Sequence, residues 1–218
     1  MHKFYEGCLS CAFQEQVSYE RCFECAETMA IREDWIHSLG FYYPRCLKEH
    51  ENSKWSKAIL MAKRKSSILL VFGKIMAFYL EGLEHLKPYT LTYVPDFQEG
   101  QLFNLPRMQF LATICFSKLE DKKWVDMGKV IVQVKTKRRK QRHCSTDKER
   151  SENVHGIYAV LDYKRVEGKN FVLMDDVFTS GATMKECASG LLEAGAREVI
   201  GLTLARTFRK GERNGNQN

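Results

Sequence analysis

The stretch from residue 171 to residue 196 constrains the fold more than any other part of this chain. It reads FVLMDDVFTSGATMKECASGLLEAGA. The apolar run at its start predicts a strand over 170–174, of the kind that is buried on both faces of a parallel sheet. Apolar residues then recur at helical spacing until Gly195, which predicts a helix over 183–194. We therefore expect a strand–loop–helix unit here.

The polar residues of this unit lie between its strand and its helix, where ligands of open α/β sheets bind. Carboxylates suit sugar hydroxyls, or the water shell of a hard cation such as Mg²⁺. A glycine-containing loop at a helix N-terminus suits a phosphate. The alternative, a simple turn followed by a helix cap, fits a lone Asp-Asp pair better than it fits the whole pattern. The unit predicts a ribose 5-phosphate site formed by Asp175, Asp176, Thr179, Ser180, Gly181, Ala182 and Thr183.

The start of the predicted helix has the spacing of a capping box, T-x-x-E, from Thr183 to Glu186. In a capping box the hydroxyl and the carboxylate each bond to a backbone N–H at the helix start. The sequence therefore predicts that Thr183 caps this helix.

Hydrophobic periodicity predicts further helices and strands along the chain. The predicted helices cover 107–119 and 55–86, the latter as one helix or two. The predicted strands cover 89–95, 129–134, 155–161 and 198–205. This alternation of strands and helices is typical of an α/β domain with a parallel sheet.

Four of the eight cysteines lie in the first 25 residues, in the pattern C-x2-C-x10-C-x2-C. Two such pairs supply four thiolates, a ligand set that suits tetrahedral Zn²⁺. A site with four cysteine ligands has no open position, so the zinc is expected to be structural. Disulfides are the alternative, but they are rare in reducing compartments. The sequence predicts a zinc module whose ligands are Cys8, Cys11, Cys22 and Cys25.

The other cysteines and the nearby histidines show no paired spacing. His37, Cys46 and His50 follow the zinc module, and packing or surface positions are favoured for them over a second metal site. Cys115 and Cys187 lie among apolar residues and are expected in the core.

The chain has no stretch that is typical of a membrane span or a signal peptide. Its longest apolar run, 68–80, has 13 residues and contains Lys74, whereas a span needs about 20 apolar residues. The N-terminus, MHKFYEGC, lacks the apolar region of a signal peptide. We therefore expect a cytoplasmic protein.

The net charge of +7 comes mainly from residues 135–150, KTKRRKQRHCSTDKER, which hold eight basic and two acidic side chains. Because the run is polar and has no apolar periodicity, we expect a flexible loop and not a helix. Two roles fit such a loop: a solvated basic surface, or a segment that binds an anion beside the phosphate site.

The segment from Met174 to Thr183 resembles the ribose-phosphate signature of the type I phosphoribosyltransferases, D-D-V-x-T-[TS]-G-x-T, at every fixed position. The resemblance implies a parallel sheet flanked by helices. It implies that Asp175 and Asp176 are catalytic and hold the ribose hydroxyls of phosphoribosyl pyrophosphate, which binds with Mg²⁺. It also implies that the Thr179–Thr183 loop wraps the 5-phosphate.

Further features are similar to the ComF family of competence-associated proteins, which have a type I phosphoribosyltransferase-like domain. These features are the CxxC module, the strand end Ala205-Arg206-Thr207, and a segment like R-x-x-N-V-x-G-x-F at Arg150, Asn153, Val154, Gly156 and Tyr158. The resemblance to the type I phosphoribosyltransferases implies that the basic run lies where those enzymes have a mobile loop that closes over the active site.

The middle of the chain departs from the family pattern. Residues 93–96 keep one proline of a P-V-P segment, and residues 101–105 keep only Phe-Asn of an R-G-F-N-Q motif. The first of these loops is where type I enzymes cradle pyrophosphate. The divergence therefore bears on pyrophosphate handling and turnover, and leaves ribose-phosphate binding intact.

On this resemblance we expect a zinc module over 1–50, a phosphoribosyltransferase-like domain over 51–210 and a disordered tail over 211–218. The domain is expected to bind phosphoribosyl pyrophosphate or a nucleotide and, in an active enzyme of nucleotide metabolism, to transfer the phosphoribosyl group to an acceptor. The resemblance also implies a link to competence, with single-stranded DNA and competence-machinery proteins as partners. The alternative is a non-catalytic zinc-ribbon adaptor of the DNA uptake machinery.

Overall fold

A computed structural model of the chain describes residues 35–83, 89–95, 106–119, 124–125, 131–133 and 146–208. In this part of the chain the strands are β1 (Ile36–Ser38), β2 (Phe41–Tyr42), β3 (Tyr89–Tyr93), β4 (Trp124–Val125), β5 (Ile131–Gln133), β6 (Tyr158–Val160), β7 (Asn170–Phe178) and β8 (Glu198–Thr207). The helices are α1 (Glu49–Asn52), α2 (Lys54–Ala62), α3 (Ser66–Glu81), α4 (Arg107–Ser117), α5 (Asp147–Val154) and α6 (Ala182–Glu193).

The main sheet has the strand order β1–β8–β7–β3–β4, and β2 also pairs with β8. Every pair in it is parallel. The sheet confirms the predicted fold class, a parallel α/β sheet flanked by helices. Strands β5 and β6 form a separate antiparallel pair.

Strand β7 lies inside this sheet and is buried on both faces, as its apolar sequence predicts. Val172 and Met174 pack into a core formed with α2, α3 and α4. Phe171 and Leu173 point the other way and pack into a second core with α6. The strand continues to Phe178, four residues beyond its predicted end, because the pairing with β8 continues as far as Phe178 and Arg206.

The predicted helical region over 55–86 consists of two helices, α2 and α3, with a break at residues 63–65. Ser53 begins α2, since its Oγ accepts a hydrogen bond from the backbone N–H of Ser56 at 3.1 Å. The predicted strand over 89–95 and helix over 107–119 are confirmed as β3 and α4. None of the helices in the described part of the chain has the length and apolar character that a membrane span requires.

Two parts of the fold differ from the sequence predictions. Strands β1 and β2 join the main sheet beside β8, although they precede residue 50. The prediction of no helix over 135–150 is wrong at its end, because α5 begins at Asp147. Thr146 caps α5: its Oγ1 accepts from the backbone N–H of Glu149 at 3.1 Å. Residues 134–145 lie outside the described residues.

The contact between α3 and α4 depends on a glycine. A Cβ on Gly73 would lie 2.5 Å from Cγ2 of Ile114, whereas a Cβ on Gly190 in α6 would meet nothing closer than 3.9 Å. We expect Gly73→Ala to lower the free energy of unfolding by about 1–2 kcal/mol, because over-packing outweighs the gain in helix propensity. The matched control, Gly190→Ala, should raise it by about 0.5–1 kcal/mol. Urea unfolding, monitored by circular dichroism, measures both free energies. A change of the same sign in both variants would contradict the close packing at Gly73.

Candidate active site

A cavity of about 710 Å³ opens at the carboxyl ends of β3, β7 and β8. All of the residues predicted from the sequence to bind a ribose phosphate line it: Asp175, Asp176, Thr179, Ser180, Gly181, Ala182 and Thr183. They meet there because parallel strands place their carboxyl ends at one edge of the sheet. Pro95, which follows β3, and Thr207, the last residue of β8, line the same cavity.

The two aspartates are ordered by backbone hydrogen bonds. Asp175 Oδ1 accepts from the N–H of Asp176 at 2.8 Å, and Asp176 Oδ1 accepts from the N–H of Val177 at 2.7 Å. Each carboxylate therefore has one oxygen held against the end of β7. This arrangement fixes the direction of both side chains before any ligand binds.

Two cations contact the second oxygen of Asp176. Arg107 Nη1, at the start of α4, donates to Asp176 Oδ2 at 2.8 Å, and Lys63 Nζ, just after α2, lies 3.8 Å from the same oxygen. Burial raises the pKa of Asp176, but the charges of Arg107 and Lys63 and the hydrogen bonds outweigh it and lower the pKa to about 2. Asp176 is therefore an ionised carboxylate throughout the physiological pH range.

The loop after β7 has a backbone conformation that requires glycine. Gly181 has a φ of +73°, and a Cβ there would lie 2.4 Å from Cε2 and Cζ of the Phe178 ring. The Oγ1 atoms of Thr179 and Thr207 are 2.8 Å apart, so the loop is also bonded to the end of β8. These contacts define one loop conformation beside the start of α6.

The predicted capping box is wrong. Helix α6 begins one residue earlier than predicted, at Ala182, and its N-cap is Gly181, which has no side chain. Glu186 instead accepts a hydrogen bond from the N–H of Gly156 at 2.6 Å, and His155 Nδ1 lies 3.7 Å from it. Glu186 therefore joins α6 to the turn between α5 and β6. The first backbone N–H groups of α6 have no intrahelical partner, which suits an anion.

Sequence reasoning missed the basic residues of the cavity wall, Lys63 and Arg107. Each precedes the aspartates by more than 60 positions, and no motif marks either one. Arg150 of α5 also lines the cavity. In the sequence, only the similarity of its segment to the ComF family pointed to Arg150. Among the residues that the structure describes, the wall therefore has three basic side chains near two carboxylates.

His37, Cys46 and His50 occupy packing or surface positions, as expected. His37 Nδ1 lies 2.6 Å from the hydroxyl of Tyr79, and His50 Nδ1 donates to the carbonyl of Tyr43 at 2.6 Å. Cys46 is exposed. The residues that the structure describes contain no group of three or more His, Cys, Asp or Glu that could hold a metal.

Cys115 and Cys187 are buried, as expected. Burial raises the pKa of Cys115 to about 12, so it is a neutral thiol in the core. Predicted zinc ligands Cys8, Cys11, Cys22 and Cys25 lie outside the described residues, as do residues 96–105.

Comparison with known proteins agrees with this fold. Residues 110–217, which include β7, the loop and α6, match the family model of the phosphoribosyl transferase domain. No curated protein is similar enough to count as a match. The fold and the family match together define a type I phosphoribosyltransferase fold.

Two solved structures are similar to the chain. One is the glutamine phosphoribosylpyrophosphate amidotransferase of Bacillus subtilis, in complex with ADP and GMP; it is 20% identical, with a TM-score of 0.40, over 62% of this chain and 26% of that one. The other is a hypoxanthine phosphoribosyltransferase of Staphylococcus aureus, 10% identical, with a TM-score of 0.39, over 69% of this chain and 68% of that one. The chain thus spans about a quarter of the amidotransferase's length.

The ion pair of Asp176 gives a testable pH dependence. Because the pKa of Asp176 is about 2 in the folded protein, below the ordinary 3.8, its contacts stabilise the fold above about pH 4, and the stabilisation is lost as the pH falls through 2. This difference is worth about 2 kcal/mol at neutral pH. We expect Arg107→Gln to raise the pKa of Asp176 and to lower the free energy of unfolding at pH 7 by about 1–2 kcal/mol.

The measurement is an NMR titration of the Asp176 carboxyl carbon together with urea unfolding at pH 7. Arg197→Gln, at an exposed position just before β8, is the matched control and should change neither quantity. An unchanged pKa in Arg107→Gln would show that Arg107 does not hold the carboxylate in its ionised form.

Proposed function

We propose that this protein binds phosphoribosyl pyrophosphate or a nucleotide in the cavity at the ends of β3, β7 and β8. The observation that carries the proposal is that the Asp175–Thr183 signature forms one wall of a single cavity. The cavity also lies where open α/β sheets bind their ligands. The match of residues 110–217 to the phosphoribosyl transferase domain supports the same class of ligand.

The loop from Thr179 to Thr183 is proposed to bind the 5-phosphate. Gly181 lets the backbone approach an anion closely, and the start of α6 offers backbone N–H groups and a positive dipole end. The hydroxyl groups of Thr179, Ser180 and Thr183 line the cavity and are able to donate hydrogen bonds to phosphate oxygens. A phosphate fits here better than a neutral group because its oxygens accept several bonds.

Asp175 and Asp176 are proposed to accept hydrogen bonds from the ribose hydroxyls. Their oxygens also fit Mg²⁺, which prefers oxygen ligands. The described residues supply too few acidic groups for a protein-only metal site. We therefore propose that Mg²⁺ binds together with phosphoribosyl pyrophosphate, whose phosphates would provide its other ligands.

The basic wall supports a ligand with more than one phosphate. Lys63, Arg107 and Arg150 bring three positive charges to a cavity that contains two carboxylates. If the protein is an enzyme, the bond between the anomeric carbon and the pyrophosphate oxygen breaks and a bond to the acceptor forms. The cations would then neutralise the leaving pyrophosphate, while Asp175 and Asp176 stabilise the positive charge on the ribose ring. Transfer of the phosphoribosyl group to an acceptor is thus a second step of the proposal, beyond ligand binding.

Calorimetry with phosphoribosyl pyrophosphate and Mg²⁺ tests the proposal. The wild type should bind, and Asp175→Asn should weaken binding about 10- to 100-fold, because a hydrogen bond to a charged group is lost while the size of the side chain is kept. Glu193→Gln, which removes an exposed carboxylate at the end of α6, is the control and should bind as the wild type does. Equal binding by the Asp175→Asn variant, or no binding by the wild type, would contradict the proposal.

We also propose that residues 1–50 include a structural zinc module with Cys8, Cys11, Cys22 and Cys25 as ligands. The spacing of the cysteines supports it. Metal analysis of the purified protein should find about one zinc per chain. Cys8→Ser should lose the metal, whereas the control Cys46→Ser should keep it. A metal-free wild type purified without chelators would contradict this proposal.

The link to competence is proposed from the ComF resemblance alone. A cytoplasmic location is proposed from the lack of an apolar span or signal region in the sequence. The alternative function is a non-catalytic zinc-ribbon adaptor of the DNA uptake machinery, which contacts single-stranded DNA and competence-machinery proteins. The calorimetric experiment separates the two functions, because an adaptor binds a single-stranded oligonucleotide in a salt-dependent way and does not bind phosphoribosyl pyrophosphate.

A further inference from the structure

Arg206 is a fully buried cation in β8, with 0% of its surface exposed. Its Nε donates to Ser38 Oγ at 3.1 Å, and its Nη2 donates to the carbonyl of Ile36 at 3.3 Å. Burying a guanidinium is costly unless its partners are well placed. An apolar side chain would fill the same space without this cost, so the arginine points to a role beyond packing.

The Arg206 side chain also contacts Phe178, the residue just before the phosphate loop. Its guanidinium carbon lies 4.8 Å from the centroid of the Phe178 ring, which is a cation–π distance. The Cε2–Cζ edge of the same ring occupies the space that a Cβ on Gly181 would need, at 2.4 Å. Arg206 therefore contacts Gly181 indirectly, through one aromatic ring.

The next residue of β8 contacts the other part of the loop. Thr207 Oγ1 lies 2.8 Å from Thr179 Oγ1. Two successive residues of β8 thus act on the phosphate loop. Thr207 contacts its first residue, Thr179, and Arg206 acts on Gly181 through the ring of Phe178. Ser38 and Ile36, which accept the two hydrogen bonds from Arg206 named above, lie in β1, so this edge strand also supports the loop.

We propose that Arg206 is a positioning residue for the phosphate loop. Stacked on Phe178 and anchored to Ile36 and Ser38, it holds the ring against Gly181 and so keeps the loop in one conformation before a ligand binds. Without this support the ring changes rotamer, and Gly181 samples the other backbone conformations that glycine allows. A preformed loop binds an anion more tightly because less ordering is needed on binding.

The proposal has two parts that are tested separately. The effect on ligand affinity rests on the proposed function, whereas the effect on loop conformation does not. The effect on loop conformation is measured in the ligand-free protein by hydrogen exchange of two backbone amides that are bonded to the loop. These are Ala182, which donates to Ser180 Oγ at 3.4 Å, and Lys185, which donates to the carbonyl of Gly181 at 2.7 Å. Calorimetry with phosphoribosyl pyrophosphate and Mg²⁺ measures the effect on ligand affinity.

Arg206→Lys keeps the charge and loses the planar group that stacks on the ring. We expect about tenfold faster exchange of these amides and about tenfold weaker binding, the effect of losing one buried cation–π contact. Phe178→Leu keeps an apolar side chain and should have the same effects. The double variant should be no weaker than Phe178→Leu alone, because both residues act through one contact. Ser38→Ala, which removes one anchor of Arg206, should give a smaller change in the same direction.

Leu69→Ala is the control for a general loss of stability, since Leu69 is buried in α3 in the other core. All variants are compared at a temperature at which circular dichroism shows them folded. Leu69→Ala should leave the exchange of the loop amides and the affinity unchanged. Equal effects of Leu69→Ala and Arg206→Lys, or fully additive effects of Arg206→Lys and Phe178→Leu, would overturn the proposal.

Two further outcomes are decisive. If Arg206→Lys does not fold, Phe178→Leu and Ser38→Ala decide the question, and wild-type exchange in both would overturn it. If the wild type does not bind phosphoribosyl pyrophosphate, the proposed function fails, and faster exchange in Arg206→Lys still supports the positioning role.

Discussion

The parallel pairing of β7 with β8 is the constraint on which the rest of the structure depends. The two strands are paired from Asn170 to Phe178, and the pairing continues past the apolar residues into the aspartates. Because both faces of β7 are buried, helices must cover both, and the carboxyl end is left as the open edge. The position of the cavity, the direction of Asp175 and Asp176, and the start of the phosphate loop all follow from this pairing.

The charges of the cavity are arranged by helices from the first half of the chain. Helix α2 ends just before Lys63, and α4 begins at Arg107, so one end of each helix faces the end of β7. Their charges keep Asp176 ionised in a partly buried position. The site is therefore a joint product of a local motif, which supplies the carboxylates and the loop, and of tertiary packing, which supplies the cations.

The sequence predicted those parts of the structure that are encoded by neighbouring residues. Strand β7, the loop and α6 could be predicted because an apolar run, small polar residues and helical periodicity follow one another. Lys63 could not, because a lysine at the end of an amphipathic helix has the same local pattern whether it faces solvent or a cavity. Strands β1 and β2 have three and two residues, too few for any periodicity. The start of α5 was missed because its charged residues show no apolar stripe, although Thr146 is a good N-cap residue.

The order of the strands shows that the region similar to known proteins and the region that folds together have different extents. Residues 110–217 match the phosphoribosyl transferase domain, yet β7 is paired on one side with β3, which precedes that region. Val172, Met174 and Leu202 pack against α2 and α3, which precede it as well. A fragment cut at residue 110 would leave an unpaired strand edge and a bare apolar face in water. The unit of sequence similarity is thus smaller than the cooperative folding unit.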